Sequence, residues 1–385
     1  MKVLHINRNF ITSALHQVMI NHLDALGVFN TVFAPTDNRH LSIITPGPNV
    51  IVSECFKKND RYFFDYKQHK IQKSLEQLIN VKEYNIIHAY TLFTDGNIAM
   101  QLHKKYESPY LVAVRNTDVN DFFRRLPYLR ARGIQILRNA SVVFFLSEAY
   151  KNQVINKYVP VKYQKEILEK SVIIPNGIDD FWIQNAVVKN GREHVERINN
   201  NEINLICAGR IDKNKNIIST IKAIEILQRD GWKVRFTVVG KIDDKSEYLE
   251  IIKSDFVHYI TLQPKEKLID IYRSNDIFVM PSYTESFGLV YAEAMSQGLP
   301  VVYTKNQGFD GQFPEGMVGF HVDAFDVNDI ATAIKNICLN YSSISYNCPE
   351  ACKKFRWGNL VNEYYIHYKN SASFEEEIDE KNTFG

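Results

Sequence analysis

The stretch IFVMPSYTESFGLVYAEAMSQGLPVVYT, residues 277–304, decides the fold. Its first four residues are an apolar run of the kind a strand buried on both faces shows. Pro281 and Ser282 open a turn, a helical pattern follows whose first turn carries Phe287 and Gly288, and a second apolar run starts at Val301. Two carboxylates mark the stretch, Glu285 just before the helix and Glu293 within it. Eight residues of helix rise about 12 Å, too far for two carboxylates to share a proton. They are placed instead to grip opposite ends of one long ligand. Between them a helix N-terminus offers unpaired N–H groups and a positive dipole end to a phosphate or diphosphate. Hydroxyl-rich groups at both ends with anionic phosphates between them describe a nucleotide sugar.

Outward from this stretch, the pattern repeats. Apolar runs at 205–208, 236–239 and 259–262 alternate with helical segments, and a further helix is expected over 326–339. The first half does the same, with strands expected at 3–7, 31–34, 50–54, 86–90, 110–115, 141–146 and 172–174. Alternating strand and helix argues for parallel sheets covered on both faces. The polar stretch 184–202, ending in Asn199, Asn200 and Asn201, reads as a hinge. The division expected is therefore an N-terminal domain at 1–183, the hinge, and a nucleotide-sugar domain at 203–357. A helix at 358–370 and a disordered acidic tail at 371–385 follow. In doubly wound sheets ligands bind at the carboxyl ends of the strands, and with two such domains the cleft between them is the expected active site.

At 385 residues the chain has length for two cores. A net charge of +2 gives no global field toward nucleic acid, and no nucleic-acid partner is expected. The five cysteines are odd in number and scattered, which is no disulfide framework and fits a reducing compartment. The chain holds no long apolar span and opens directly into a strand, so a cytoplasmic location is expected. One basic stretch, DFFRRLPYLRARGIQILR, sets Arg124, Arg125, Arg130, Arg132 and Arg138 among apolar residues. It reads either as a helix with solvated arginines or as a surface that lies on the inner face of a membrane and meets a lipid-linked acceptor.

Chemistry is expected where the second half carries CAGRIDKNKN, residues 207–216. Gly209 permits close backbone approach, and Arg210 and Lys215 fall at the carboxyl edge of the sheet. Facing the helix N-terminus after Glu285, two cations there would make a diphosphate clamp. The rival reading is a solvated loop rich in Lys and Asn, with Glu285 a simple N-terminal charge on its helix.

These segments together resemble glycosyltransferase family 4. TESFGLVYAEAMSQGLPVV resembles its Glu-x7-Glu signature, CAGRIDKNKN its Gly-Arg-to-Lys-Gly loop, and PNGID its interdomain segment. VGFHVDAFDVNDIATAI and FRWGNLVNEYY are similar to its last motifs, in the family's order. The resemblance implies an α/β fold of the GT-B type, two doubly wound Rossmann-like domains with a C-terminal helix returning to the first. It implies a retaining hexosyltransferase using a UDP or GDP sugar, without metal or cofactor, on a glycan or lipid-linked acceptor in surface-polysaccharide or glycolipid assembly. Glu293 would hold the ribose hydroxyls and Glu285 the donor sugar. Arg210 and Lys215 would neutralise the diphosphate, aided by Gly209, Ser286 and the N–H groups of Phe287, Gly288 and Leu289.

The first half departs from the family pattern. In VRNTDVND, Arg115 takes the place of the family's His, while Asp118 keeps its position. Asn9, and Thr12 with it, stand where many relatives carry paired glycines; His88 matches a histidine often near the cleft, though a lone His on an apolar strand is usually a core residue. Two rival readings stand beside the transferase, a non-catalytic nucleotide-sugar-binding protein and a GT-B-like epimerase or phosphorylase. The lack of a Gly-x-Gly-x-x-Gly after an early strand argues against a dehydrogenase.

Overall fold

The computed structural model describes residues 1–13, 15–37, 47–187 and 192–382. The chain divides into two compact units, one of Met1–Pro175 with Trp357–Gly385 and one of Asn176–Arg356. The first unit is built on β1 (Lys2–Ile6), β2 (Phe29–Thr36), β3 (Val50–Glu54), β4 (Ile86–Ala89), β5 (Tyr110–Val114), β6 (Val142–Phe145) and β7 (Ser171–Ile173). They pair in parallel in the order β3-β2-β1-β4-β5-β6-β7. Because side chains alternate across a strand, Val3 enters the core on one face of this sheet and Leu4 the core on the other.

The second unit carries β8 (Glu202–Ala208), β9 (Lys233–Val239), β10 (Val257–Ile260), β11 (Ile277–Val279), β12 (Val301–Thr304) and β13 (Gly319–Val322), also parallel, in the order β10-β9-β8-β11-β12-β13. Both sheets therefore reverse their direction of growth once. The first does so between β1 and β4, the second between β8 and β11. At such a reversal the loops leaving neighbouring strands diverge and open a crevice at the carboxyl edge.

The chain passes between the units at two places, after Pro175 and after Arg356. Both lie beside one short parallel bridge, Ile178 with Arg356. The division thus falls earlier than the hinge expected at 184–202. Part of that stretch is the helix Arg192–Asn199, and 188–191 lie outside the described residues. At the second passage Phe355 packs with Phe287, Phe309 and Phe313 in the second unit, while Trp357 is buried in the first unit's core. The aromatic pair one residue apart seats the chain in two cores in turn.

Trp357 opens a helix, Trp357–Asn382, that continues through most of the segment expected as a disordered tail. Trp357, Leu360, Val361, Tyr364 and Tyr368 follow the helical spacing of one face, and all are buried in the first unit's core. Under that face lies a polar belt. His5 bonds Asn30 Oδ1 at 2.7 Å and the Tyr90 hydroxyl at 3.0 Å, and His88 Nδ1 bonds the Tyr368 hydroxyl at 2.6 Å while stacking on Tyr90 at 4.3 Å. Burial pushes His5 down to about 4 and His88 well below the ordinary histidine range, so both rings are neutral at pH 7. Tyr368→Phe would leave His88 Nδ1 buried without a partner, so chemical denaturation should show a loss of about 1–2 kcal/mol. Unchanged stability would mean that apolar packing alone seats the C-terminal helix.

Candidate functional site

The second unit's crevice is formed by the loop 209–216 after β8 and the loop 280–288 after β11. These loops are joined residue by residue. Asn214 Oδ1 accepts from the Thr284 N–H at 3.1 Å and hydroxyl at 2.7 Å, and its Nδ2 donates to the Thr284 carbonyl at 2.9 Å. Lys215 Nζ meets Glu285 Oε2 at 2.7 Å, with both side chains nearly buried. Asn216 donates to the Pro281 carbonyl at 3.0 Å and the Ala324 carbonyl at 2.7 Å. Asn216 sits in the left-handed region, φ 55°, which explains an Asn where relatives favour Gly: it tolerates that backbone and adds two bonds.

The loop after β9 closes on this one. A Cβ on Gly240 would lie 1.7 Å from the Gly209 carbonyl oxygen, so only glycine fits. On the other side Glu285 is fixed from above, its N–H donating to Gln307 Oε1 at 2.9 Å and its carbonyl accepting from Gly308 N–H at 3.1 Å. The helix begins at Leu289, two residues later than the sequence pattern indicated. Gly288, at φ 77°, is its left-handed N-cap, and Phe287 is drawn into the aromatic core. Phe287 is therefore a packing residue whose backbone alone faces the loop region, and Ser286 donates its N–H to Glu285 Oε1 at 3.1 Å.

The two expected cations differ. Lys215 is held by Glu285, whereas Arg210 is 68 % exposed and lies 3.7 Å from Asp243 and 4.0 Å from Asp212. Glu293, half-buried on its helix, has no hydrogen bond to its carboxylate among the described residues. Burial, and then the charge of Asp179, push it up to about 7, against the pull of Lys265. Asp179 closes PNGID, caps the helix Asp180–Gln184 through the Phe181 N–H, and bonds Lys265 Nζ at 2.5 Å. Sequence reasoning quoted Asp179 without giving it a role, and missed Lys265, Asn214 and Gln307. Asn214 had a legible signal in its place beside Lys215; Gln307 had none.

In the first unit the expected residues separate. Asp118 is buried and its carboxylate accepts N–H groups from Leu92 at 3.0 Å, Phe93 at 3.1 Å and Arg115 at 2.8 Å. Burial pushes it up to about 6 in spite of those bonds. It ties the loops after β4 and β5 together. Arg115 donates from Nε to the Tyr90 carbonyl at 3.2 Å and reaches the Tyr364 side chain, so it anchors the C-terminal helix. His88 lies wholly in the aromatic core, as a lone His on an apolar strand ordinarily does. Asn9 and Thr12 form a local turn, with the Thr12 hydroxyl on the Asn9 carbonyl at 2.9 Å.

The basic stretch is not one helical face. Pro127 opens a short turn between two helical segments, and the arginines are engaged locally. Arg125 pairs with Asp121, Arg132 with Asp65 and Arg138 with Glu166, while Arg130 donates to the Phe123 carbonyl and lies over the Tyr158 ring. Arg124 is exposed. Among the described residues no helix is long and apolar enough to cross a membrane. A separate surface cleft of about 650 Å³ lies at the amino ends of β9 and β10, beside Val234 and Val257; ligands of parallel sheets bind at the opposite edge.

Comparison with known proteins bears on the family and the fold. The model of the family described as Glycosyltransferase Family 4 matches residues 17–180, and that of Glycosyl transferases group 1 matches 191–355. The chain belongs to glycosyltransferase family 4. An uncharacterized 41.2 kDa protein in the cps region of Klebsiella pneumoniae is 31 % identical over 49 % of this chain and 54 % of that protein, so the chain spans about half of that relative. The capsular polysaccharide biosynthesis glycosyltransferase CapM of Staphylococcus aureus is 26 % identical over 60 % of this chain and 63 % of its own. Among solved structures, Anabaena HepE in complex with UDP and glucose superposes with a TM-score of 0.65 at 17 % identity, covering 96 % of this chain and 100 % of that one. The fold is GT-B, two parallel-sheet Rossmann-like units.

The folded family 4 chain holds the Glu293 proton more tightly than the unfolded chain does, so wild-type stability falls as pH rises from about 4.5 to about 7. Glu293→Gln, neutral throughout, should therefore melt higher than wild type above pH 7, by the equivalent of about 1–3 kcal/mol. The advantage should vanish at the acid end of that range. Parallel pH profiles for the two proteins would remove burial as the cause.

Proposed function

We propose that the chain transfers a hexosyl unit from a nucleoside diphosphate sugar to a glycan or lipid-linked acceptor, with retention of anomeric configuration, in surface-polysaccharide or glycolipid assembly. The observation that carries this reading is the Lys215–Glu285 pair at 2.7 Å, set at the reversal of the second sheet with Glu293 on the adjoining helix. An ammonium held beside a carboxylate at a strand's carboxyl end is ready for a ligand that brings both phosphates and hydroxyls. Capsule assembly is supported by the name of the CapM relative, and a UDP donor by the UDP and glucose bound in the HepE structure. GDP remains the alternative base.

The reaction breaks the bond between the anomeric carbon and the donor diphosphate and forms one to the acceptor oxygen on the same face. The acceptor's proton passes to the departing phosphate. Charge builds on the diphosphate oxygens as the bond breaks, and Lys215 and the exposed Arg210 stabilise it. Their task is electrostatic and positional, worth most where water is excluded. Glu285, oriented by Lys215, the Gln307 side chain and the Gly308 N–H, meets the sugar hydroxyls. Glu293 accepts from the ribose hydroxyls, a role open to a carboxylate with no partner of its own. Metal is not required in this scheme, and no paired acid and base of the glycosidase kind is invoked.

Lys215→Ala and Arg210→Ala should each lower turnover or slow donor hydrolysis by about 10²-fold or more, with Lys215→Ala also freeing Glu285. Wild-type rates in both would defeat the clamp. Glu293→Ala should weaken nucleoside diphosphate binding by about tenfold or more, read by calorimetry with UDP and GDP. Donor binding with neither hydrolysis nor transfer across an acceptor panel would instead favour the binding-protein reading.

A further inference from the structure

The first sheet has its own crevice, at the reversal between β1 and β4, and a cavity of about 250 Å³ fills it. Arg8 and Asn9 from the loop after β1, Thr91 from the loop after β4, and Arg61, Lys67 and Gln68 line it. Lys67 and Gln68 belong to the helix Phe64–Leu78 and are only 5 % and 4 % exposed. The Lys67 ammonium lies 4.3 Å from the centre of the Phe56 ring, and the Arg8 guanidinium lies 5.3 Å from the same centre. Among the described residues the Lys67 ammonium has no hydrogen bond or ion pair. Gln68 Oε1 accepts from Asn97 Nδ2 at 3.1 Å, and its buried Nε2 has no partner.

A buried ammonium without an anion is costly, and so is a buried amide N–H without an acceptor. Here the ammonium lines the cavity next to a second cation, while the Gln68 Nε2 has no accessible surface of its own. The nearby carboxylates do not neutralise the group by contact. Asp118 is occupied by three N–H groups, and burial pushes Asp95 up to about 7. Burial also pushes Lys67 down to about 8, with the neighbouring Arg8 acting in the same direction and the charges of Asp95 and Asp37 against it.

We propose that this cavity binds a phosphate group of the acceptor, with Lys67 and Arg8 opposite its charge. The name acceptor rests on the transferase reading; the affinity of the cavity for phosphate does not. The phosphate belongs either to a soluble sugar phosphate or to a lipid-linked diphosphate.

Calorimetry on the full chain with inorganic phosphate, a hexose phosphate, and a polyprenyl diphosphate in phosphatidylcholine vesicles tests this, with UDP titrated in parallel. Wild type should bind inorganic phosphate, and Lys67→Met and Arg8→Met should each weaken it about tenfold or more, with Lys67→Arg recovering part. UDP affinity should stay within about twofold, and Lys67→Met, relieved of a buried charge, should melt no lower than wild type. Tighter binding of the vesicle diphosphate names the lipid source, and tighter binding of the hexose phosphate the soluble one. No phosphate binding at tens of millimolar, or unchanged affinity in both variants, would overturn the proposal. So would equal loss of UDP affinity in Lys67→Met, since the cavity would then hold donor phosphate. Phosphate binding lost in Lys67→Met with no UDP or GDP binding at all would leave the cavity standing and remove the transferase reading.

Discussion

The ion pair between Lys215 and Glu285 is the contact on which the second unit's ligand edge depends. Its net stabilising value is small, because two charges leaving water lose nearly what they gain in attraction. Its geometric value is larger. It is one of three consecutive ties, with Asn214 on Thr284 before it and Asn216 on Pro281 after it, that fix the loop of β8 to the loop of β11. Neither loop can move alone. A site that holds a diphosphate while charge develops, as proposed here, would need that stiffness, since orientation set in advance is not spent again in the transition state.

The first unit meets the same constraint with different chemistry. There a single carboxylate, Asp118, gathers three backbone N–H groups from the loops after β4 and β5, and Arg115 fastens the end of β5 to the β4 loop and the C-terminal helix. This accounts for the survival of Asp118 in a segment otherwise altered from the family pattern. The carboxylate is needed to hold backbone in place, whatever stands at position 115. Arginine there reaches a carbonyl and a tyrosine that an imidazole, being shorter, would have to approach differently.

How legible this was in the sequence depends on whether a signal was local. Alternating apolar runs announced both sheets, and the carboxylates and cations at 210–215 and 285–293 fell on the predicted edge. The start of the helix at Leu289 did not show, because Phe287 looks like the first residue of an apolar face and is instead pulled sideways into Phe309 and Phe355. That His88 is a core residue was the ordinary expectation, but its hydrogen-bond partner Tyr368, 280 residues away, was not legible. The helix Arg192–Asn199 was hidden by polar composition, and the continuation of the last helix past residue 370 by acidic composition. In each case a distant or weakly patterned contact decided what periodicity and charge alone left open.

The two crevices also differ in the sign of what they leave unsatisfied. In the second unit it is a carboxylate, Glu293, raised by burial and by Asp179. In the first it is an ammonium, Lys67, beside Arg8 and an idle amide N–H. An acid without a partner suits hydroxyl donors, and a cation without a partner suits an oxyanion. On the proposed reading the second edge would take the donor's diphosphate on Lys215 and Arg210 and its hydroxyls on Glu285 and Glu293, and the first edge an oxyanion on Lys67.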